Sequence, residues 1–229
     1  MLNALPVHEL PRQGAEPGAV ADVAGPDRPN RRVAALAGSP SAHSRSAALL
    51  RQALQLLGPC AQPATIDIRN LPAAALLRAD AAEPALALAV TQVQAAELVL
   101  VATPIYKAAY SGVLKLFLDL LPPDALRGKR VLPLATGGSV AHLLAVDYAL
   151  RPVLAALGAR EILDTVFATD AQFEADESGS WHPNHAVRER LLRALADPHA
   201  PAAGLLNWVP ASPPPPTPVD RSGAVTAAC

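Results

Sequence analysis

Three short stretches of this chain bring together residue types that can hold an anionic, planar ligand. The first is Gly38-Ser39-Pro40-Ser41-Ala42-His43-Ser44-Arg45-Ser46, serine hydroxyls and one guanidinium between an apolar run and a helical pattern. Free N–H groups and the positive end of a helix favour an anion there. No G-K-[ST] follows, so this is not a nucleotide P-loop. Ser44 has a purely structural use as well, as a helix cap, with Ser39 in the turn. The second stretch is 103–112, Thr-Pro-Ile-Tyr-Lys-Ala-Ala-Tyr-Ser-Gly. Pro104 fixes the turn out of the preceding strand, Tyr106 and Tyr110 offer flat faces, and Ser111-Gly112 open a helix. Each tyrosine can equally be a packing residue, and Lys107 a solvated loop lysine. The third is Thr136-Gly137-Gly138-Ser139. Adjacent glycines let a backbone approach a ring edge that a side chain would block, although a ligand-free tight turn uses the same residues. His142, just beyond, is read as a helix-start residue. Neither metal-ligand spacing nor a Ser-His-Asp or Cys-His constellation is present.

The elements that position these stretches alternate. Apolar runs at 32–37, 64–68, 98–102, 130–135 and 161–167 predict strands. The run Leu98-Val99-Leu100-Val101-Ala102 is apolar throughout, as in a strand buried on both faces. Between them, Leu50, Ala53, Leu54 and Leu57 mark one helix, stopped by Gly58-Pro59. Leu86, Ala89, Val90 and Val93 mark a second, and Val113, Leu116, Phe117 and Leu120 a third. A long helix over 141–157 and a final one over 184–196 complete the pattern. Five β–α alternations with right-handed crossovers predict an α/β, flavodoxin-like three-layer sandwich. Its five-stranded parallel sheet takes the order 2-1-3-4-5, since no G-x-G-x-x-G follows the first strand. Pro133 cannot donate to a ladder, so it must sit at a bulge or a non-bonded position. Pro152 likewise deprives the Tyr148 carbonyl of its helical donor, which predicts a kink or π-type bulge between Ala145 and Pro152.

The chain has 229 residues, a formal net charge of -1 and two cysteines, Cys60 and Cys229. That length suits one sizeable domain, and the charge gives no reason to expect nucleic acid or an anionic membrane as partner. The cysteines make no disulfide framework and fit a reducing cytosol; no run is long enough to span a bilayer. Residues 1–30 lack periodicity and are expected to be a disordered leader. The domain is expected over 31–200, and 201–229, with Pro213-Pro214-Pro215-Pro216, as a proline-rich flexible tail.

TPIYKAAYSG, together with LAGSP…SRSAALL before it and PLATGGSVAHLLAVDYAL after it, closely resembles the NAD(P)H-dependent FMN reductases of two-component alkanesulfonate monooxygenase systems. The likeness covers about residues 32–170. It implies FMN and NADPH as cofactors and a hydride passed to flavin N5, with no catalytic side chain required. By the same resemblance Ser39, Ser44, Arg45 and Ser46 would hold the FMN 5′-phosphate. Pro104, Tyr106, Lys107, Ala108 and Ser111 would lie along the isoalloxazine and ribityl chain, Lys107 also being a candidate for the NADPH phosphate. Thr136, Gly137 and Gly138 would meet the pyrimidine edge of the ring. Ser41 departs from the pattern, standing where the family often has an arginine. The resemblance further implies a flavin-dependent alkanesulfonate monooxygenase as partner, and a cytoplasmic homotetramer with Tyr148 in a π-helix at a subunit interface near the flavin. A prosthetic-FMN quinone or azo reductase shares this fold. So does a flavodoxin-type electron carrier, whose usual strongly acidic face is at odds with a net charge of -1. A non-catalytic module using only the proline-rich tail is a further alternative.

Overall fold

The computed structural model describes residues 31–58 and 61–196. The expectations for 1–30 and 201–229, and both cysteines, lie outside the described residues. Five strands form the parallel path of one sheet: β2 (Ala61–Asp67), β1 (Arg31–Ala37), β3 (Leu98–Tyr106), β5 (Arg130–Gly137) and β6 (Glu161–Ile162), in that spatial order. Beyond β6, β7 (Val166–Thr169) continues the pairing along β5, and β4 (Ala109–Tyr110) folds back antiparallel on β3. The expected 2-1-3-4-5 arrangement is therefore present, its fifth position shared by two short strands.

Helices cover both faces. On one, α1 (Arg45–Leu57) and α6 (His185–Ala196) pack Leu49, Leu50, Ala53, Val187 and Leu191 against Val33, Leu100 and Leu134. On the other lie α2 (Ala73–Arg78), α3 (Pro84–Ala95), α4 (Gly112–Leu118) and α5 (Arg151–Ala156). Leu76, Leu86, Val93, Leu114, Phe117 and Leu154 there meet Leu36, Val99 and Val131. Alternate residues of each central strand thus enter opposite cores, which explains why β1, β3 and β5 carry continuous apolar runs.

Two prolines interrupt central strands, and each faces a place where pairing has lapsed. The Val131 carbonyl accepts from Leu163 N–H, so Val131, and Pro133 two residues on, direct their backbone toward β6 and β7. Pairing on that side stops at Ile162 and resumes at Val166. The expected strand over 161–167 is therefore split, and the missing donor of Pro133 sits opposite the split. In the same way the Ala102 carbonyl accepts from Gly38 N–H, so Pro104 faces the β1 side just where β1 has ended.

Several expectations need correction. The strand at 98–102 runs on to Tyr106, so the supposed turn at Pro104 is the end of a strand. The buried face of α4 is set by Leu114, Phe117 and Leu118, with Val113, Leu116 and Leu120 only half-buried beside it. The helix over 141–157 is in fact a 3-10 turn (Val140–Leu143), a π-helical turn (Val146–Leu150) and α5. The bulge predicted between Ala145 and Pro152 is that π turn. Two elements escaped the sequence, α2 and a hairpin of β8 (Phe173–Ala175) with β9 (Trp181–Pro183).

Candidate functional site

The three stretches converge because β1, β3 and β5 are neighbours in parallel register, with Ala37 beside Ala102 and Pro104 beside Thr136. All three therefore emerge at the carboxyl edge of the sheet, where ligands of open α/β folds bind. Gly38 joins β1 to its loop so closely that a Cβ there would lie 2.8 Å from Leu114 Cβ and 2.9 Å from the Ala102 carbonyl oxygen.

In the first loop Ser44 caps α1, its Oγ accepting from Ala47 N–H at 3.2 Å. Ser44 Oγ also lies 2.8 Å from Ser46 Oγ, and both serines are buried. The helix-cap reading of Ser44 thus holds geometrically, and it leaves the first-turn N–H groups of Arg45 and Ser46 without intrahelical acceptors. Ser39 is buried in the turn and accepts from Ser41 N–H. The Arg45 guanidinium stacks 4.0 Å over the Trp181 ring and pairs with Asp170 at 3.6 Å. Its Nε is buried with no acceptor among the described residues, a donor awaiting a partner.

The second stretch is a hairpin. Ile105 pairs with Tyr110 and Tyr106 with Ala109, so Lys107 and Ala108 alone form the turn. Their φ angles of 49° and 60° are both positive, as a type I′ turn demands, with neither glycine nor asparagine to relieve them. Tyr106, Lys107 and Ala108 are exposed, whereas Pro104 is buried in the sheet. Ser111 is committed inward. Its hydroxyl donates to the Gly38 carbonyl and caps α4 by accepting from Leu114 N–H, while its N–H donates to Thr103 Oγ1 at 3.0 Å. Ser111 therefore ties two of the loops together and has no hydroxyl donor left for a ligand.

In the third stretch Thr136 and Gly137 complete β5 and are buried. The two glycines differ. A Cβ on Gly137 would lie 2.8 Å from His142 Nδ1 and 3.2 Å from the Phe167 ring, whereas one on Gly138 would meet nothing within 4 Å. Gly137 makes room for His142, and only Gly138 faces open space. Tyr148 is 80% exposed on the π turn, and its neighbours Leu144 and Val140 are exposed apolar residues as well.

A sequence profile described as NADPH-dependent FMN reductase matches residues 31–174, more than half of the chain. The chain belongs to that family. Over 142 residues it is 56% identical to an FMN reductase (NADPH) of Escherichia coli strain K12, covering 62% of this chain and 74% of that one. Over 173 residues it is 44% identical to an FMN reductase (NADPH) of Pseudomonas putida KT2440, covering 75% and 88%. Among solved structures, the apo form of an NADH:FMN oxidoreductase superposes with a TM-score of 0.65 at 42% identity, covering 72% of this chain and 87% of that one. The enzyme is thus an oxidoreductase of FMN and a nicotinamide nucleotide, and its fold is flavodoxin-like.

Sequence reasoning missed the support of Arg45 in this FMN reductase. Asp170 follows β7 and Trp181 lies on β9, both distant in sequence from the loop they serve. A turn signal was available in Asp176-Glu-Ser-Gly-Ser180, where Gly179 has φ 78°. Arg190 of α6 braces the same region, donating to the Phe167 carbonyl and to Gln172 Oε1, and burial pushes its guanidinium below the ordinary arginine range. Among the described residues no helix is long and apolar enough to cross a membrane.

Proposed function

We propose that this FMN reductase uses NADPH, takes FMN as a dissociable substrate, and delivers the reduced flavin to a separate alkanesulfonate monooxygenase. The observation that carries the flavin seat is the buried, unpaired Nε of Arg45 beside the first turn of α1. There the Arg45 guanidinium, the Arg45 and Ser46 N–H groups and the Ser39 loop hold the 5′-phosphate, while Ser44 and Ser46 shape the turn through their mutual hydrogen bond. Backbone groups of Thr136, Gly137 and Gly138 follow the pyrimidine edge, and open space at Gly138 lets the ring come close. Pro104 floors the site, and Tyr106, Lys107 and Ala108 flank the ring from the hairpin. Ser111 acts as a positioning residue. When bound, FMN supplies the redox chemistry, accepting a hydride at N5 from the nicotinamide; the chain supplies alignment.

Open loops and an aromatic content of 3% suit a flavin that comes and goes. A single Met and two Cys in 229 residues suit a protein made when sulfur is scarce, which supports the sulfonate link. We assign Tyr148 and the apolar surface beside it to the contact between subunits of a homotetramer. Steady-state oxidation of NADPH and NADH with FMN, FAD and riboflavin tests the reading: FMN is expected to exceed riboflavin in kcat/KM, and equality would remove the phosphate seat. FMN that stays bound through purification would favour the prosthetic-flavin quinone or azo reductase instead.

A further inference from the structure

A cavity of about 360 Å³ lies beside the Ser44 cap, between α1 with the loop before it and the β8–β9 hairpin. Ala42, His43, Ser44 and Arg51 line one wall; Asp176, Gly179, Ser180, Trp181 and His182 line the other. Seven residues separate Ser44 from Arg51, which puts both on one stripe of α1, about 10 Å apart along the helix. The hairpin wall lies almost wholly after residue 174, where the match to the family profile ends.

The polar groups of the two walls differ in what they have left to offer. Asp176 is consumed in building the hairpin, accepting from Ser178 N–H and Oγ, Ser180 N–H and His182 Nε2 at 2.6–2.9 Å. The Ser178 hydroxyl, then His182 and the Ser180 N–H, hold its carboxyl well below the usual carboxylate range. Ser180 Oγ is engaged with Ser178 Oγ and Ser44 Oγ with Ser46 Oγ. Arg51 and His43, by contrast, have no hydrogen-bond or ion-pair partner among the described residues. The groups left free are thus donors, set beside an aromatic ring whose one face Arg45 already covers. Free donors beside an aromatic ring suit a phosphomonoester attached to a flat base, with the Asp176 charge already compensated by its four hydrogen bonds. A volume near the lower end for ligand sites admits part of a dinucleotide and excludes the whole.

We infer that this cavity seats the adenosine 2′-phosphate end of NADPH, with Arg51 and His43 on the phosphate and Trp181 beside the adenine. The identity of the nucleotide rests on the reductase function proposed above; the phosphate selectivity of the cavity stands independently of it. Arg51 then sets the preference for NADPH over NADH, while Arg45 of the first loop serves the FMN phosphate.

Two measurements test this. Titration of the full chain with adenosine 2′,5′-bisphosphate, followed by calorimetry, should show binding at least tenfold tighter than 5′-AMP, and Arg51→Ala should abolish the difference. In steady state with FMN, Arg51→Ala should lower the NADPH-to-NADH ratio of kcat/KM by ten- to a hundredfold, the range expected when one charge-assisted contact is lost. Arg51→Lys, which keeps the charge, should recover part of that ratio. Equal binding of the two adenosine nucleotides, an unaltered ratio, or displacement of the bisphosphate by FMN each overturns the assignment. Failure to oxidise either nucleotide would overturn the reductase function, while the calorimetric comparison would still judge the cavity.

Discussion

At the scale of single residues, the phosphate seat proposed above rests on one cation held from two sides. Arg45 is stacked on Trp181, tethered to Asp170 and left with an unused Nε. Arg45→Ala should therefore raise KM for FMN about ten- to a hundredfold, matching loss of about 1.5–3 kcal/mol, with a much smaller fall in kcat, because ground state and transition state lose the same contact. Activity with riboflavin, which has no phosphate, should change little, and the pair of flavins measured side by side checks the assignment. Ser111→Ala acts differently. It strands the Gly38 carbonyl and removes the cap of α4, so it should cost about 1–3 kcal/mol of stability, read as a lower urea midpoint at constant m-value. The residue types of the three loops were legible in the sequence because strand ends and helix starts bracket them. Ser111 appeared there as a neighbour of the ligand, since nothing in a linear pattern shows that its hydroxyl turns back to a carbonyl at position 38.

At the scale of elements, the periodicities of β1, α1, α3, β3, β5 and α6 were all readable, and the helix over 141–157 was readable as one that had to break. Pro152 removes the donor for the Tyr148 carbonyl, and the chain answers with a π turn over Val146–Leu150, steadied by the Asp147–Arg151 ion pair at 3.1 Å. A π turn amounts to one residue inserted into an α-helix. Deletion of Tyr148 should accordingly restore a regular α-helix with little loss of helicity by circular dichroism, while flavin release or turnover changes. A deletion variant with wild-type flavin kinetics would divorce the π turn from function. The β8–β9 hairpin and α2 were not legible, because each runs only three to six residues, too short to show a period, and the hairpin is held by side-chain hydrogen bonds such as those to Asp176. The hairpin turn at Lys107-Ala108 was hidden for the opposite reason: its backbone demands Asn-Gly chemistry that the sequence does not supply. Two residues held at positive φ at the tip of the second stretch form a strained turn, the kind of backbone that persists where the surroundings enforce it.

At the scale of the whole molecule, exposed Val140, Leu144 and Tyr148 share one end of the sheet with exposed Tyr106. Large apolar side chains gathered beside a site are costly to leave in water and favour association. Light scattering on the purified chain should give a multiple of the 23.7 kDa monomer, four-fold if the assembly is the tetramer proposed, and Tyr148→Asp should shift it toward smaller species. The borders of the sheet offer a second surface through which copies could meet, and the prolines of the sheet bear on it. The Arg32 carbonyl accepts from Glu97 N–H on the β3 side, so Val33 turns to β2 and Pro63, its partner, presents its donorless nitrogen outward. At the opposite border the split between Ile162 and Val166 leaves no continuous ladder. Each described border of the sheet thus carries an interruption, a missing donor at Pro63 on one side and the split between β6 and β7 on the other, and interruptions of that kind work against edge-to-edge growth into fibres.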